Sequence, residues 1–232
     1  MKPFSSYAKL GLAIIVIGAT NQAFGATHTP SRVLTAEYAL PGHQHIAISI
    51  DPAGVTQESF VYGKAGIKGQ KSVTYWIKGT KVISCFTQPG ETQAQAHLVT
   101  TPRKRIVGPE IGAIRIAPTT RQVNVLGHIG REYQISARID GRAHSWTVIL
   151  AKGKNMASLN RALNQALAAV GDIQPSHEVA ATMRAISLDP SLHGYAPLVV
   201  GDSIKLTAMH TESASQIMLP SIPVYEESHK HV

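Results

Sequence analysis

Cysteine is nearly absent. Cys85 is the only one in the chain, so no internal disulfide can form, and a fold that relies on such staples is excluded. Its thiol is expected to be buried and inert, a small core hydrophobe. Acidic residues are scarce too, 14 Asp and Glu against 22 Lys and Arg. A hydrolase built on two facing carboxylates has little to draw on, while the surplus of cations favours anionic partners such as lipid headgroups over acidic proteins. No nucleophile elbow, zincin helix, phosphate loop or dinucleotide fingerprint occurs. The expectation is a protein with no enzyme activity and no cofactor. Histidines number 11, and two His-x-His pairs stand out, His43/His45 and His229/His231. Such a pair points one way on a strand, but two imidazoles alone make an incomplete metal site, so no metal is expected.

Long apolar runs are also missing. Leu10 to Ala19 is about half of the roughly 20 residues that span a bilayer, and no comparable run follows. With Lys2 and Lys9 before it and Ala23-Phe24-Gly25 after it, this run reads as an export signal cleaved after Gly25. The periplasm is the expected destination, and nucleic acid is not an expected partner there. Removing Lys2 and Lys9 lowers the formal charge from +8 to +6. Residues 26–225 are read as a single domain and residues 226–232 as a flexible charged tail. Thr27 to Arg32 is polar and loop-like.

What is present is clearest from Glu132 to Val170. Tyr133, Ile135, Ala137 and Ile139 alternate with Glu132, Gln134, Ser136 and Arg138, the period of a strand with one dry face. Asp140-Gly141 suits a two-residue type I′ turn, which sets Ile139 opposite Arg142, Ile135 opposite Trp146 and Tyr133 opposite Val148. Tyr133, Ile135, Trp146, Val148 and Leu150 then share the dry face. Beyond Gly153 the period changes: Met156, Leu159, Leu163, Leu167 and Val170, flanked by Ala162 and Ala166, form one apolar helical stripe. Asn155 or Ser158 is placed to cap the helix and Gly171 to end it. A sheet with one dry face and a helix with one dry stripe bury each other.

Elsewhere, Ile46, Ile48 and Ile50 predict a strand ending at Asp51-Pro52. Ala53 to Lys71 reads as a glycine-rich loop with at most a short strand at Ser59–Tyr62. Ser72 to Phe86 is a second hairpin turning at Lys78-Gly79 or Gly79-Thr80; either places Val73, Tyr75, Ile77, Val82 and Phe86 on one face and Trp76, Ile83 and Cys85 on the other. His97–Thr100, Ile114–Ala117 and Gln122–Leu126 are further strand candidates. A second helix is predicted from Pro175 to Ile186 with Val179, Met183 and Ile186 as its stripe, ended by Asp189-Pro190. Ile204, Leu206 and Ala208 predict another strand, and Ile217 to Tyr225 a last edge segment. Arg103-Lys104-Arg105 forms a cationic turn, read as a solvated loop or as a headgroup contact.

The Tyr75-Trp76-Ile77-Lys78-Gly79 hairpin, the run from Gly127 to Tyr133, the Trp146 strand leading into the Leu159/Leu163 helix and the closing Leu219-Pro220 segment together resemble the LolA/LolB-like proteins, in particular an exported branch of unknown function. The resemblance covers most of residues 26–225. It implies an α+β fold: a curved antiparallel sheet, an incomplete barrel, with helices packed on the concave face around an apolar cavity. It also implies carriage of a hydrophobic small molecule, a lipid or an acylated protein. The residues placed to line such a cavity are Tyr133, Ile135, Trp146, Val148, Leu150, Met156, Leu159 and Leu163, with Arg103, Lys104 and Arg105 as headgroup contacts. The alternative is an envelope interaction protein with a filled core that recruits a protein partner.

Overall fold

The computed structural model describes residues 31–62, 71–79, 81–86, 95–99, 110–169, 176–214, 217 and 224–226. The expected signal segment, the Arg103-Lys104-Arg105 turn, Gly171 and the His229/His231 tail lie outside them. The strands are β1 (Ser31–Leu40), β2 (Gln44–Ile50), β3 (Val55–Tyr62), β4 (Lys71–Lys78), β5 (Lys81–Phe86), β6 (Gln95–Val99), β7 (Ile111–Val125), β8 (His128–Ile139), β9 (Arg142–Lys152), β10 (Tyr195–Val200), β11 (Ile204–Ala214) and β12 (Val224–Glu226); the helices are α1 (Lys154–Ala169) and α2 (His177–Leu188). Among the described residues the twelve strands form one sheet, ordered β12-β6-β5-β4-β3-β2-β1-β11-β10-β9-β8-β7. Every neighbouring pair is antiparallel except β12 beside β6. The fold is therefore a largely antiparallel sheet with two helices.

The β8–β9 hairpin has the expected register. Asp140 and Gly141 are both left-handed, at φ 49° and 78°, as a type I′ turn requires. Ile139 faces Arg142, Ile135 faces Trp146 and Tyr133 faces Val148. Tyr133, Ile135, Ala137 and Ile139 are buried while Gln134, Ser136 and Arg138 are exposed. The dry row continues sideways, through Ile116 opposite Ile135 on β7 and Val200 opposite Val148 on β10.

Met156, Leu159, Ala162 and Leu163 bury the stripe of α1. This helix runs against β10 and also meets β2, β4 and β9. Asn155 and Ser158 do not cap it, because the helix already starts at Lys154 and its first turn closes from Ala157 N–H to the Gly153 carbonyl. Helix α2 begins where Ser176 Oγ accepts from Val179 N–H at 3.3 Å. It buries Val179, Met183 and Ile186 as expected, with Ala181, Thr182 and Ala185. Pro190 stops it, and Asp189 turns its carboxylate onto Ser191 N–H and Oγ. Those bonds hold the Asp189 carboxyl below the ordinary carboxylate range. No helix among the described residues is long and apolar enough to cross a membrane.

Four strands depart from expectation. Strand β1 starts at Ser31, inside the polar stretch Thr27–Arg32 that reads as loop, and is a central strand between β2 and β11. Val33 and Thr35 are buried along with Leu34, Ala36 and Tyr38, so both faces are covered and polarity does not alternate cleanly. The Tyr38 hydroxyl donates to the Pro197 carbonyl at 2.9 Å, and burial pushes its ionisation far above the ordinary phenol value. Strand β10 reads as a continuous buried run, Ala196-Pro197-Leu198, which period-2 reasoning passes over. Strand β3 begins at Val55 rather than Ser59, because Asp51 fixes the turn: its Oδ1 accepts from Val55 N–H at 2.9 Å. Strand β7 joins the two expected segments across Pro118. A proline is tolerated there because β7 is an edge strand with bulges.

Two apolar clusters result. The larger joins β1, β2 and β7–β11 to both helices. The smaller gathers Phe60, Tyr75, Ile77 and Val82, with Ile46 and Val73 at its edge. In the β4–β5 hairpin Ile77 faces Val82 and Lys78 faces Lys81, so the strand runs to Lys78 and the turn begins at Gly79; Thr80 lies outside the described residues. Val73, Tyr75, Ile77, Val82 and Phe86 thus share the parity predicted for them. On the other parity the Trp76 Nε1 is buried without a hydrogen-bond partner among the described residues.

Candidate functional site

The dry strip of β8 and β9 is assembled as the sequence places it, and all eight candidate lining residues join one core cluster: Tyr133, Ile135, Trp146, Val148, Leu150, Met156, Leu159 and Leu163. Both helices cover that cluster. Ile135, Val148, Leu150 and Leu159 are 0% exposed. Trp146 is tied to α2, its Nε1 donating to Thr182 Oγ1 at 3.0 Å inside the core. A displacement of α2 must break this bond, so the indole is a built-in reporter of whether the helix lifts.

Open space of mixed lining lies beside the strip. A groove of about 300 Å³ runs between Ile114 and Ile116 of β7 and Ala185, Leu188, Asp189 and Pro190 at the end of α2. That is the lower end of the usual range for ligand pockets, about 300–1,000 Å³. Leu188 is 67% exposed, and Arg184 of α2 donates to the Ile111 carbonyl at 3.1 Å, holding the helix beside the strand. The groove was not foreseen, because it depends on where α2 lies relative to β7, a contact between segments about seventy residues apart.

At the other end of β8 the same face becomes polar and aromatic. Tyr133 and Tyr195 meet edge to face with centroids 6.4 Å apart. The Arg131 guanidinium stands 5.9 Å from the Tyr133 ring centre, and the Lys152 ammonium 5.7 Å from that of Tyr195. Burial, and then the hydrogen bond with Tyr195, hold the Tyr133 hydroxyl above its ordinary value. The sequence does not mark Arg131 or Lys152 as headgroup contacts; the residues it points to, Arg103, Lys104 and Arg105, lie outside the described residues.

No family model, curated protein or solved structure matches the chain. The site is therefore read from its own chemistry. Among the described residues no group of three or more His, Cys, Asp and Glu side chains is placed to hold a metal ion. Cys85 is half-buried, and burial raises its thiol above the ordinary value, which disfavours the reactive thiolate. What remains is an apolar core under two helices, an open groove lined by Ile114, Ile116, Leu188 and Asp189, and a rim of cations and tyrosines.

Proposed function

We propose that the protein is a non-enzymatic binding module of the periplasm, LolA/LolB-like in shape, that accepts a hydrophobic ligand such as a lipid or the acyl chains of a lipoprotein. The sheet is read as curved into an incomplete barrel, with α1 and α2 on its concave face. Support for the curvature comes from α1, which meets β4 and β9 although five strands separate them in the sheet. The observation that carries the reading is the groove between Ile114, Ile116 and Leu188, which adjoins the buried strip along α2. A ligand starting there and displacing α2 reaches Tyr133, Ile135, Trp146, Val148 and Leu150, with Met156, Leu159 and Leu163 on the opposite wall; Met156 is the pliant member of that wall.

A second reading has its own support. With Ile135, Val148, Leu150 and Leu159 at 0% exposure, the same fold serves as a filled scaffold that recruits a protein partner at the envelope. Native mass spectrometry of protein purified from its own compartment separates the two. Lipid-mass adducts are the expected result for a carrier; a clean apo mass with a co-purifying protein gives the case to the scaffold. A second readout is Trp146 fluorescence in a Trp76→Phe background. Adding fatty acid or phospholipid should shift it as the bond to Thr182 breaks, and Leu163→Trp should weaken the response to ligand by filling the space. A spectrum unmoved by every lipid tested removes the carrier reading.

A further inference from the structure

The hairpin joining β7 to β8 ends in Leu126-Gly127, and both residues are left-handed, at φ 53° and 82°. Asn, Asp or Gly is the ordinary occupant of the first position in such a turn; a bulky side chain there is an outlier. The turn is nevertheless well fastened, with Gly127 N–H donating to Asn124 Oδ1 at 2.8 Å. Leu126 is 53% exposed and Ile129, two residues beyond Gly127, is 69% exposed. An apolar side chain held in a strained conformation and presented to solvent contributes little to this fold. Backbone strain of that kind clusters at functional sites.

Charge narrows what that contact is. Arg131 is exposed on the same strand face as Ile129, its Nε donating to the Thr119 carbonyl at 3.0 Å. The β8–β9 ladder ends where Arg131 faces Leu150, and Lys152 lies two residues beyond that last pair, where it faces Tyr195 of β10. Each cation lies against a tyrosine, Arg131 at Tyr133 and Lys152 at Tyr195, at the same end of the sheet as the tip. The nearest carboxylate on this hairpin, Glu132, is engaged by Arg121 at 3.2 Å. Two side chains on a hairpin end fall far short of the roughly 800 Å² per partner of a stable protein interface. A bilayer demands no shape complementarity, takes up any apolar side chain, and if anionic draws the flanking cations to its surface.

We propose that the β7–β8 tip is a membrane-contact device: Leu126 and Ile129 enter the outer layer of an anionic lipid bilayer while Arg131 and Lys152 meet the headgroup phosphates. This holds whether the core admits a ligand or is filled. The test uses the full chain and co-sedimentation with vesicles of phosphatidylcholine and phosphatidylglycerol at three to one. Leu126→Asn and Ile129→Thr are each expected to weaken binding by about tenfold, the fold-change that corresponds to burying most of one aliphatic side chain. Raising salt or omitting phosphatidylglycerol should weaken wild-type binding. A Leu126→Trp variant should shift to the blue on vesicles and be quenched by brominated acyl chains, a signal that the apolar N-terminal segment cannot supply. The inference is overturned if the double variant binds as wild type does, if wild type does not bind, or if the indole of Leu126→Trp stays in water. It is equally overturned if Leu126→Asn abolishes self-association or loses a co-purifying protein while vesicle binding is unchanged, since the tip would then serve a second copy or a protein partner.

Discussion

Two tight turns close the two ends of β8 with almost the same backbone and opposite chemistry. At one end Asp140 and Gly141 have φ 49° and 78°; at the other Leu126 and Gly127 have 53° and 82°. Asp140 belongs in its turn. Its N–H donates to the Glu110 carbonyl and its Oδ1 accepts from Glu110 N–H, both at 3.0 Å, tying the turn to the start of β7. Leu126 offers the backbone nothing comparable, and Asn124 fastens that turn instead. The register between the turns is thus set by the rungs of apolar residues, with the turn residue itself free to serve another end. That freedom is what allows an apolar tip to exist on a hairpin that folds correctly.

The comparison breaks most visibly in the middle of β8. Ile135 is fully buried and sits between Ile116 and Trp146 on neighbouring strands. Ile135→Ala is expected to cost about 2–5 kcal/mol, through lost burial and the cavity left behind, measured by chemical denaturation. If it costs less than Asp140→Leu, the turns and not the rungs set the register.

The asymmetry of the two turns also decides what was legible in the sequence. Asp140-Gly141 carries two signals at once, both residues favouring positive φ, between two alternating runs. Leu126-Gly127 carries one, and the leucine disguises it as the last residue of a strand. The strip on β8 and β9 was legible because one face of each strand is dry and the other wet. Strands β1 and β10 were not, since Val33 and Thr35 are buried beside Leu34 and Ala36, and Ala196-Pro197-Leu198 are buried in succession. For strands covered on both faces, periodicity fails. The groove of Ile114, Ile116 and Leu188 was invisible for another reason: it belongs to no one segment. The sequence does not mark Arg131 and Lys152 as a group because they are far apart along the chain and are linked only through Tyr133 and Tyr195, whose rings meet across the sheet.

Gly130 gives the next test, smaller and confined to the apolar end. A Cβ added there would lie 2.5 Å from Ile149 Cγ2 and 3.3 Å from both the Leu150 carbonyl oxygen and Leu198 Cδ1. Ile149 is β-branched and stiff at χ1, so the methyl group cannot swing clear. Gly130→Ala should destabilise by about 1–3 kcal/mol as an overpacked position. It should also shift the tip relative to β9, so vesicle binding falls with stability. An unchanged melting temperature would mean that this end of the sheet yields readily, and that Leu126 is less firmly presented than its turn geometry implies.

The smallest effect sharpens the comparison furthest, because it exchanges the two turn residues. A left-handed leucine costs on the order of 1–2 kcal/mol, a cost that asparagine largely avoids. Leu126 is more than half exposed, so replacing it loses little burial. Leu126→Asn should therefore raise stability by about 1 kcal/mol. Asp140→Leu is the reverse exchange and should cost slightly more than that, because it also removes the exposed hydrogen bond to Glu110 N–H, about 0.5–1.5 kcal/mol. The turns lie at opposite ends of a twelve-residue strand and share no partner, so the double exchange should equal the sum of the two within about 0.5 kcal/mol. Denaturant midpoints at constant m-value read all three. A stabilised Leu126→Asn that has also lost vesicle binding would show stability and membrane contact opposed at one residue. A destabilised one would mean that Leu126 makes a contact the fold needs, and the tip would then be part of the core rather than a surface held out for lipid.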